Sequence, residues 1–434
     1  MKQMAEAFYR TAAQLVSGGY GALPQEFQSV KHLIYSSPAT LAFNSPGAQG
    51  FGVKRAGLAI PGSVMLLVSP GCCGRNTIAL GPAGSGGDRM FYLLLDEADI
   101  VTGRHLSKIP AAVQEVCASC RTKPSAVMLC ITCVDALLGT DMERVCRRAE
   151  EAAHVPVVPC YMYALTRDGR HPPMTAVRKS VYSLLKPLPK KADAMNILGF
   201  FAPLRDDCEL YRLFRKAGVH HIREISRCPS FDAYLSMAQA NFNLVLNSEA
   251  RPAAQWMEQS LQIPSIELTR MYQLDKIETQ YHLLAQALEI PWEDGPDKDA
   301  SQAEIHRFRQ NYGPAVFTVG EIANADPFEL SLALLRYGFS VSEIYGTINK
   351  VNFRFIQKIA ERSPNTKVYS NLSPTMLFYR PTPAEADIAI GKDAAYYHPE
   401  CPHVLWCSEV QPFGYAGVRG LFQALSHAVE GRTK

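Results

Sequence analysis

The sequence lacks the long apolar runs of membrane proteins. No window approaches the ~18 consecutive apolar residues that a membrane-spanning helix needs. Charge of one sign is also scarce, because 44 basic residues nearly balance 41 acidic ones and the formal net charge is +3. This balance does not indicate nucleic acid or a membrane surface as a partner. Residues 1–16 contain a glutamate and predict an amphipathic helix rather than a signal peptide, so we expect a cytoplasmic protein.

Motifs for nucleotide-dependent and hydrolytic chemistry are missing too. The glycine-rich stretch GPAGSGGDR (81–89) has no phosphate-contacting lysine, so we do not expect the chain to hydrolyse a nucleotide itself. No G-x-G-x-x-G follows a predicted strand with an acidic residue some twenty positions later, which argues against a nicotinamide cofactor. Neither a G-x-S-x-G elbow nor an H-E-x-x-H motif occurs.

Short apolar runs recur along the chain, and they are nearly continuous rather than alternating. They occupy residues 63–69, 90–95, 126–132, 155–160, 195–201, 243–247, 315–320, 366–371, 386–391 and 403–407. Parallel strands that are covered by helices on both faces show this pattern. Helical segments such as 106–120 and 327–338 lie between the runs. The sequence therefore predicts an α/β fold with doubly wound parallel sheets.

The length of 434 residues suggests more than one domain. The segment LKPLPKKADA (185–194) is rich in proline and lysine and marks a linker. A second polar stretch begins at residue 291 and has the composition of a surface connection or a helix start. We therefore predict three α/β domains, at 1–190, 191–300 and 301–434.

Cysteine, by contrast, is abundant, with twelve residues in the chain. The first 160 residues hold Cys72, Cys73, Cys117, Cys120, Cys130, Cys133, Cys146 and Cys160. In a reducing compartment such a set is not expected to form a disulfide framework. The uneven distribution predicts a metal or cluster site in the N-terminal third of the chain.

Two C-x-x-C pairs differ in their expected surroundings. Cys117 and Cys120 share one helix face with two valines, which favours core packing. Cys130 lies within a predicted strand and also reads as a core residue. Cys133 follows the carboxyl end of that strand, where active groups gather in open α/β sheets. The nine residues between the two pairs are fewer than a zinc ribbon usually has.

The double cysteine in SPGCCG (69–74) also follows a predicted strand. Glycines on both sides would let the backbone approach a bulky inorganic ligand without a clash of Cβ atoms. One of Cys72 and Cys73 could bind a cluster while the other packs. We expect cluster ligation here rather than simple packing.

Taken in order, these motifs resemble the nitrogenase component 1 family. That family includes the molybdenum–iron protein subunits, the scaffold proteins that build their cofactor, and the dark-operative tetrapyrrole reductases. The segments that resemble its first domain are NSPGAQG (44–50), SPGCCG (69–74), DEADIVTG (96–103), CVDALLGTDMERV (133–145) and VPVV (155–158). Residues 195–201 and 241–268 resemble the second domain, and residues 313–339 and 385–425 resemble the third.

The resemblance implies three Rossmann-like domains around a central cleft. It also implies an oxidoreductase subunit that receives low-potential electrons from a separate, ATP-hydrolysing iron protein with a [4Fe-4S] cluster. A second component-1-like subunit or another copy of the chain would complete the assembly, with an iron–sulfur cluster at the interface. The alternatives within the family are a non-catalytic scaffold for metallocofactor assembly and a structural subunit of a heteromeric reductase.

The resemblance assigns the cluster ligands of the family to positions in this chain. Cys133 matches the last of the three cluster cysteines, and either Cys72 or Cys73 matches the middle one. The first ligand is expected at Phe43 or Asn44, where this chain has no thiol. The resemblance therefore implies a [4Fe-4S] cluster rather than an eight-iron cluster, with the second thiol of the pair as a replacement ligand.

The ligands of the nitrogenase active-site cofactor are not matched. The position of its cysteine reads Asn247, and the position of its histidine aligns near Cys407. Cys407 is expected to face the cleft, where it would ligate a second metallocluster or act on substrate, unless it is a core cysteine at a strand end. Glu321, as a catalytic residue, and Asn371 are expected to line the same cleft.

Overall fold

The structure is a computed structural model, and it describes residues 6–27, 39, 56–71, 89–131, 138–161, 173–381 and 386–431. Within these residues the strands are β1 (Tyr9–Thr11), β2 (Val64–Ser69), β3 (Met90–Leu94), β4 (Val127–Ile131), β5 (Val157–Tyr161), β6 (Ala194–Leu198), β7 (His221–Glu224), β8 (Phe242–Val245), β9 (Ser265–Glu267), β10 (Val316–Val319), β11 (Ser340–Tyr345), β12 (Lys367–Tyr369), β13 (Ile388–Ile390) and β14 (His403–Val404).

The α-helices in the same ranges alternate with these strands. They are α1 (Ala12–Ser17), α2 (Glu97–Thr102), α3 (His105–Ser119), α4 (Met142–Ala153), α5 (Pro173–Ser180), α6 (Glu209–Lys216), α7 (Phe231–Leu235), α8 (Arg251–Leu261), α9 (Leu274–Leu288), α10 (Gly295–Tyr312), α11 (Pro327–Arg336), α12 (Phe353–Arg362), α13 (Lys392–Tyr397) and α14 (Gly414–Glu430). No helix within the described ranges is long and apolar enough to cross a bilayer.

The chain divides into two compact units. The two-sheet unit comprises Pro46–Pro203 and Gly218–Thr269, and the single-sheet unit comprises Met1–Ser45, Leu204–Ala217 and Arg270–Lys434. The chain thus leaves and re-enters each unit. The three-domain boundaries expected from the sequence stay a prediction.

The two-sheet unit holds two four-stranded sheets in which every strand pair is parallel. Their strand orders are β3-β2-β4-β5 and β7-β6-β8-β9. Every residue of β2 is buried, as its continuous apolar run predicts. One apolar core continues from the first sheet to the second through residues such as Met65, Cys130, Leu198 and Met257. Burial of these side chains is the main force that joins the two sheets.

The single-sheet unit is built on one six-stranded sheet, β1-β12-β11-β10-β13-β14. All of its pairs are parallel except the edge pair of β1 with β12. Segment 204–217 is anchored in this unit by Glu209, whose carboxylate accepts hydrogen bonds from Tyr415 N (2.6 Å) and Ala416 N (3.0 Å) at the start of α14. A carboxylate stabilises the N-terminus of a helix because four N–H groups there have no partner within the helix.

The predicted α/β fold with parallel sheets is confirmed. The helix predicted over residues 1–16 is wrong for residues 9–11, which form β1 on the edge of the six-stranded sheet; α1 begins only at Ala12. Strand β11 carries polar residues, including Glu343, and its sequence lacks the continuous apolar run of the other inner strands. Its neighbours β10 and β12 supply the pairing that makes it a strand.

Candidate functional site

The predicted cluster ligands Cys72, Cys73 and Cys133 lie outside the residues that the structure describes. The strands that precede them are described, and they are direct neighbours. β2 pairs with β4 in parallel, with Val68 opposite Ile131. Both strands therefore end at the same edge of the first sheet.

The cysteines expected to pack in the core do so where the structure describes them. Cys130 is fully buried in β4, opposite the equally buried Cys160 of β5. Cys117 and Cys120 are half-buried at the end of α3 and pack against the apolar core between that helix and the sheet. Burial raises the pKa of both Cys117 and Cys120, which makes their thiols poor nucleophiles.

A cluster of two carboxylates and one amide lies at the carboxyl edge of the six-stranded sheet. We call Glu321, Asn371 and Asp393 the carboxylate cluster. Glu321 follows β10 by two residues, Asn371 follows β12 by two residues, and Asp393 lies in the first turn of α13, just after β13. Parallel strands bring their carboxyl ends to one edge, which is where ligands bind in open α/β sheets.

The amide of Asn371 joins the two acids of the carboxylate cluster. Its Nδ2 donates to Asp393 Oδ2 at 2.6 Å and to Glu321 Oε1 at 3.1 Å. Backbone groups complete the set: Asp393 accepts from Glu321 N (3.0 Å) and Ile322 N (3.1 Å), and Glu321 Oε2 accepts from Thr347 N (2.8 Å). Asn371 and Asp393 are buried, whereas Glu321 is half-buried.

The close approach of two loops in the carboxylate cluster requires a glycine at position 320. A Cβ atom there would lie 1.9 Å from Asp393 Oδ1 and 2.5 Å from its Cγ. The absence of a side chain lets the carboxylate sit directly against the backbone after β10.

Asp393 holds its proton more tightly than an ordinary aspartate. Burial, and next to it the charge of Glu321, raise the pKa of Asp393 to about 6, against the opposing effect of the hydrogen bonds from Asn371, Ile322 N and Glu321 N. An acid with such a pKa can release and regain a proton near neutral pH.

Replacement of Asp393 should change the pH dependence of stability. The folded-state pKa exceeds the ordinary value, so this carboxyl contributes stability that is fully present below about pH 4 and is lost as the pH rises through about 6. We expect the free energy of unfolding of Asp393→Asn, relative to that of the wild type, to rise by about 2 kcal/mol between pH 4 and pH 7. Urea unfolding at both pH values measures this difference. An unchanged difference would contradict the raised pKa.

Cys407 lies on a loop that is bonded to the loop of Glu321. Asn324 N donates to Trp406 O at 2.6 Å, and Asn324 Nδ2 donates to Ser408 O at 2.8 Å. These two bonds flank Cys407, which is half-buried. The structure thus places Cys407 three residues after β14 on a segment bonded to Asn324, and its role toward substrate or a metallocluster stays a prediction.

Two further residues bear on the sequence-based expectations. Asn247, at the position of the family's cofactor cysteine, caps its own turn by accepting from Glu249 N at 3.0 Å. Asp393 was not among the expected site residues. Its signal in the sequence is weak: an acid placed two residues after the glycine that ends an apolar run, Gly391.

The sequence profile of the nitrogenase component 1 type oxidoreductases matches residues 48–336 of the chain. The chain is 27% identical over 195 residues to the nitrogenase iron-molybdenum cofactor biosynthesis protein NifE of Klebsiella pneumoniae, which covers 42% of each protein. It is 28% identical over 244 residues to NifE of Mesorhizobium japonicum, covering 54% of this chain and 48% of that protein. The chain thus spans less than half the length of these curated relatives.

Solved structures show the same fold. The nitrogenase Cp1 structure at pH 6.5 superposes with a TM-score of 0.66 at 17% sequence identity, covering 89% of this chain and 92% of that one. The Cp1 structure at pH 5 gives a TM-score of 0.65 at 15% identity, covering 95% of this chain and 92% of the other. At these identities the similarity concerns the fold alone.

Proposed function

Because the chain belongs to the nitrogenase component 1 type oxidoreductases, we propose that it is a reductase subunit that holds an iron–sulfur cluster through Cys72, Cys73 and Cys133. The observation that carries this proposal is the pairing of β2 with β4. Cys72 comes three residues after the end of β2, and Cys133 comes two residues after the end of β4. Neighbouring parallel strands are about 4.8 Å apart, so the described ends of β2 and β4 lie side by side at one edge of the sheet.

The donor set fits an iron–sulfur cluster. Thiolates are the usual protein ligands of such clusters, and the three cysteines can supply them. A [4Fe-4S] cluster shared with a second component-1-like subunit, or with another copy of the chain, agrees with the lack of a thiol at Phe43 and Asn44. The cluster would supply low-potential electrons, received from an ATP-hydrolysing [4Fe-4S] iron protein in the cytoplasm.

The carboxylate cluster supports a reductive role in the single-sheet unit. Reduction of an organic or inorganic substrate consumes protons as well as electrons, and Asp393 can hold a proton near neutral pH. Asn371 connects Asp393 to the half-buried Glu321, which we propose as the group that meets substrate. Cys407 is the second candidate contact, either as a ligand of a second metallocluster or toward substrate.

Anaerobic purification tests the proposed cluster. We expect iron and acid-labile sulfide in equal amounts, and an electron paramagnetic resonance signal of a reduced [4Fe-4S] cluster after treatment with dithionite. Addition of an iron protein with MgATP should reduce the same cluster. Protein that contains zinc and no iron after anaerobic purification would overturn the proposal.

A scaffold for metallocofactor assembly is the second candidate. The names of the curated relatives favour it, because they are cofactor biosynthesis proteins. The replacement of both nitrogenase cofactor ligands, at Asn247 and near Cys407, also agrees with transient binding. A scaffold would be isolated with a second metallocluster that transfers to an acceptor protein, whereas a reductase would keep all of its metal and oxidise its cluster when substrate is added.

A further inference from the structure

Four further polar side chains meet inside the single-sheet unit, and none of them belongs to the carboxylate cluster. Glu343 and Tyr345 lie on β11, Tyr379 follows the turn at Pro374–Phe378, and His398 follows α13. All four are buried, with exposed fractions between 0% and 7%. We call this group the tyrosine–histidine cluster. It plays no part in the proposed function.

The four terminal atoms of this cluster are all in mutual contact. Tyr345 Oη lies 2.9 Å from Glu343 Oε2, 2.8 Å from Tyr379 Oη and 3.0 Å from His398 Nε2. Tyr379 Oη lies 2.8 Å from Glu343 Oε2 and 2.9 Å from His398 Nε2, and the last pair, His398 Nε2 with Glu343 Oε2, is 2.9 Å apart. Six nearly equal distances describe a tetrahedron.

Hydrogen bonds alone do not account for this tetrahedron. Each phenol carries one proton, His398 Nε2 carries at most one, and Glu343 Oε2 carries one only if the carboxyl is protonated. Even with every proton present, the six contacts outnumber the four protons. At least two contacts therefore have no proton of their own and hold electronegative atoms close together in a buried site, which is unfavourable and which a cation among them would offset.

The size and the donors of the tetrahedron match a metal ion. Its centre lies about 1.8 Å from each of the four atoms, and a widening of a few tenths of an ångström reaches the roughly 2.0–2.2 Å of metal–nitrogen and metal–oxygen bonds. Among the described residues, no three His, Cys, Asp or Glu side chains form a group that could hold a metal. The tyrosine–histidine cluster is of another kind, because two of its four donor atoms are tyrosine hydroxyl oxygens.

The charge of the donor set selects the ion. One carboxylate and two phenolates carry three negative charges, and a neutral imidazole adds none. A trivalent ion neutralises this set completely, and oxygen donors favour hard cations, whereas thiolates favour soft ones. We propose that Glu343, Tyr345, Tyr379 and His398 form a mononuclear binding site for ferric iron, separate from any iron–sulfur cluster.

The aromatic surroundings would strengthen the binding. The ring of Tyr397 lies 4.9 Å from the rings of both Tyr345 and Tyr379, and the ring of Tyr369 lies 5.6 Å from that of Tyr345. Such apolar walls lower the local dielectric constant and so increase the attraction between the cation and its ligands. The ion would link three chain segments and stabilise the folded state by mass action.

A titration with ferric iron tests the site. The full chain, freed of metal with a chelator, is titrated with ferric nitrilotriacetate in the absence of sulfide, so that no iron–sulfur cluster forms. We expect a visible charge-transfer band that saturates at about one ferric ion per chain, with ring vibrations of iron-bound phenolate in its resonance Raman spectrum. Tyr345→Phe and Tyr379→Phe should each weaken this binding roughly tenfold or more.

Tyr369→Phe is the matched control, because it removes a hydroxyl from a ring in the same aromatic group but outside the tetrahedron. It should keep the band and the affinity. The wild type alone decides the outcome if the variants fold poorly: a titration without phenolate vibrations overturns the site. Unchanged vibrations and affinity in both tyrosine variants would overturn it too.

Discussion

Cys133→Ala should abolish the iron–sulfur cluster, whereas Cys117→Ala should leave it in place. A cluster already short of a thiol at Phe43 and Asn44 has no spare ligand from this loop, so the loss of Cys133 removes a bond that nothing in the family pattern replaces. Cys117 lies on α3, half-buried against the apolar core. Its replacement leaves only a small void, which should lower the free energy of unfolding by about 1 kcal/mol. Iron and acid-labile sulfide per chain, after anaerobic purification, measure the difference.

The double cysteine can be resolved in the same experiment. If both thiols ligate, Cys72→Ala and Cys73→Ala should each lower the iron content. If only one ligates, the other variant should match the Cys117→Ala control. Full iron and sulfide content in Cys133→Ala protein would contradict the proposed ligand set. That result would not bear on the ferric titration of the tyrosine–histidine cluster.

Gly320→Ala should destabilise the single-sheet unit by about 3 kcal/mol or more. The new Cβ atom would lie 1.9 Å from Asp393 Oδ1, so the carboxylate must move away from the N–H groups of Glu321 and Ile322 that it now satisfies. Overpacking of this kind costs about 1–3 kcal/mol, and each buried donor left without a partner adds about 1–3 kcal/mol. The midpoint of urea unfolding measures the effect.

Two further variants identify the cause. Gly295→Ala adds the same methyl group at the start of α10, where nothing lies within 4 Å of the added atom, and should be neutral. In the double variant Gly320→Ala/Asp393→Ala the clashing carboxylate is gone. Its free energy of unfolding should therefore fall by at least about 1 kcal/mol less than the sum of the decreases in the two single variants. Strict additivity would show that the carboxylate is not what opposes the methyl group.

The location of candidate site residues was partly predictable. Glu321 directly follows one apolar run and Asn371 ends another, and residues at the carboxyl ends of parallel strands line binding sites in this fold class. The structure brings these two residues within hydrogen-bond distance, at 3.1 Å. Asp393 lies inside the first turn of α13 and not directly after an apolar run, and its contact with Asn371 depends on the packing of α13 against the sheet, so local sequence did not indicate it.

The tyrosine–histidine cluster carries no sequence motif. Glu343 and Tyr345 are two residues apart on one strand, so they share a face, but Tyr379 and His398 arrive from segments more than 30 residues later. Convergence over such separations is a property of the fold and not of any local spacing.

Local patterns in the amino-acid sequence were enough to predict that this protein is built from parallel strands and helices. Short, nearly continuous apolar runs that are separated by helical segments are typical of strands covered on both faces, and this pattern predicts the α/β class and the parallel sheets. The order of the motifs along the chain indicated the family. The strand order, in contrast, is known only from the folded chain: β10 lies between β11 and β13, and this order brings Glu321, Asn371 and Asp393 together. Strands distant in sequence pair because the whole sheet is buried as one unit, so the composition of a single segment does not predict its neighbours.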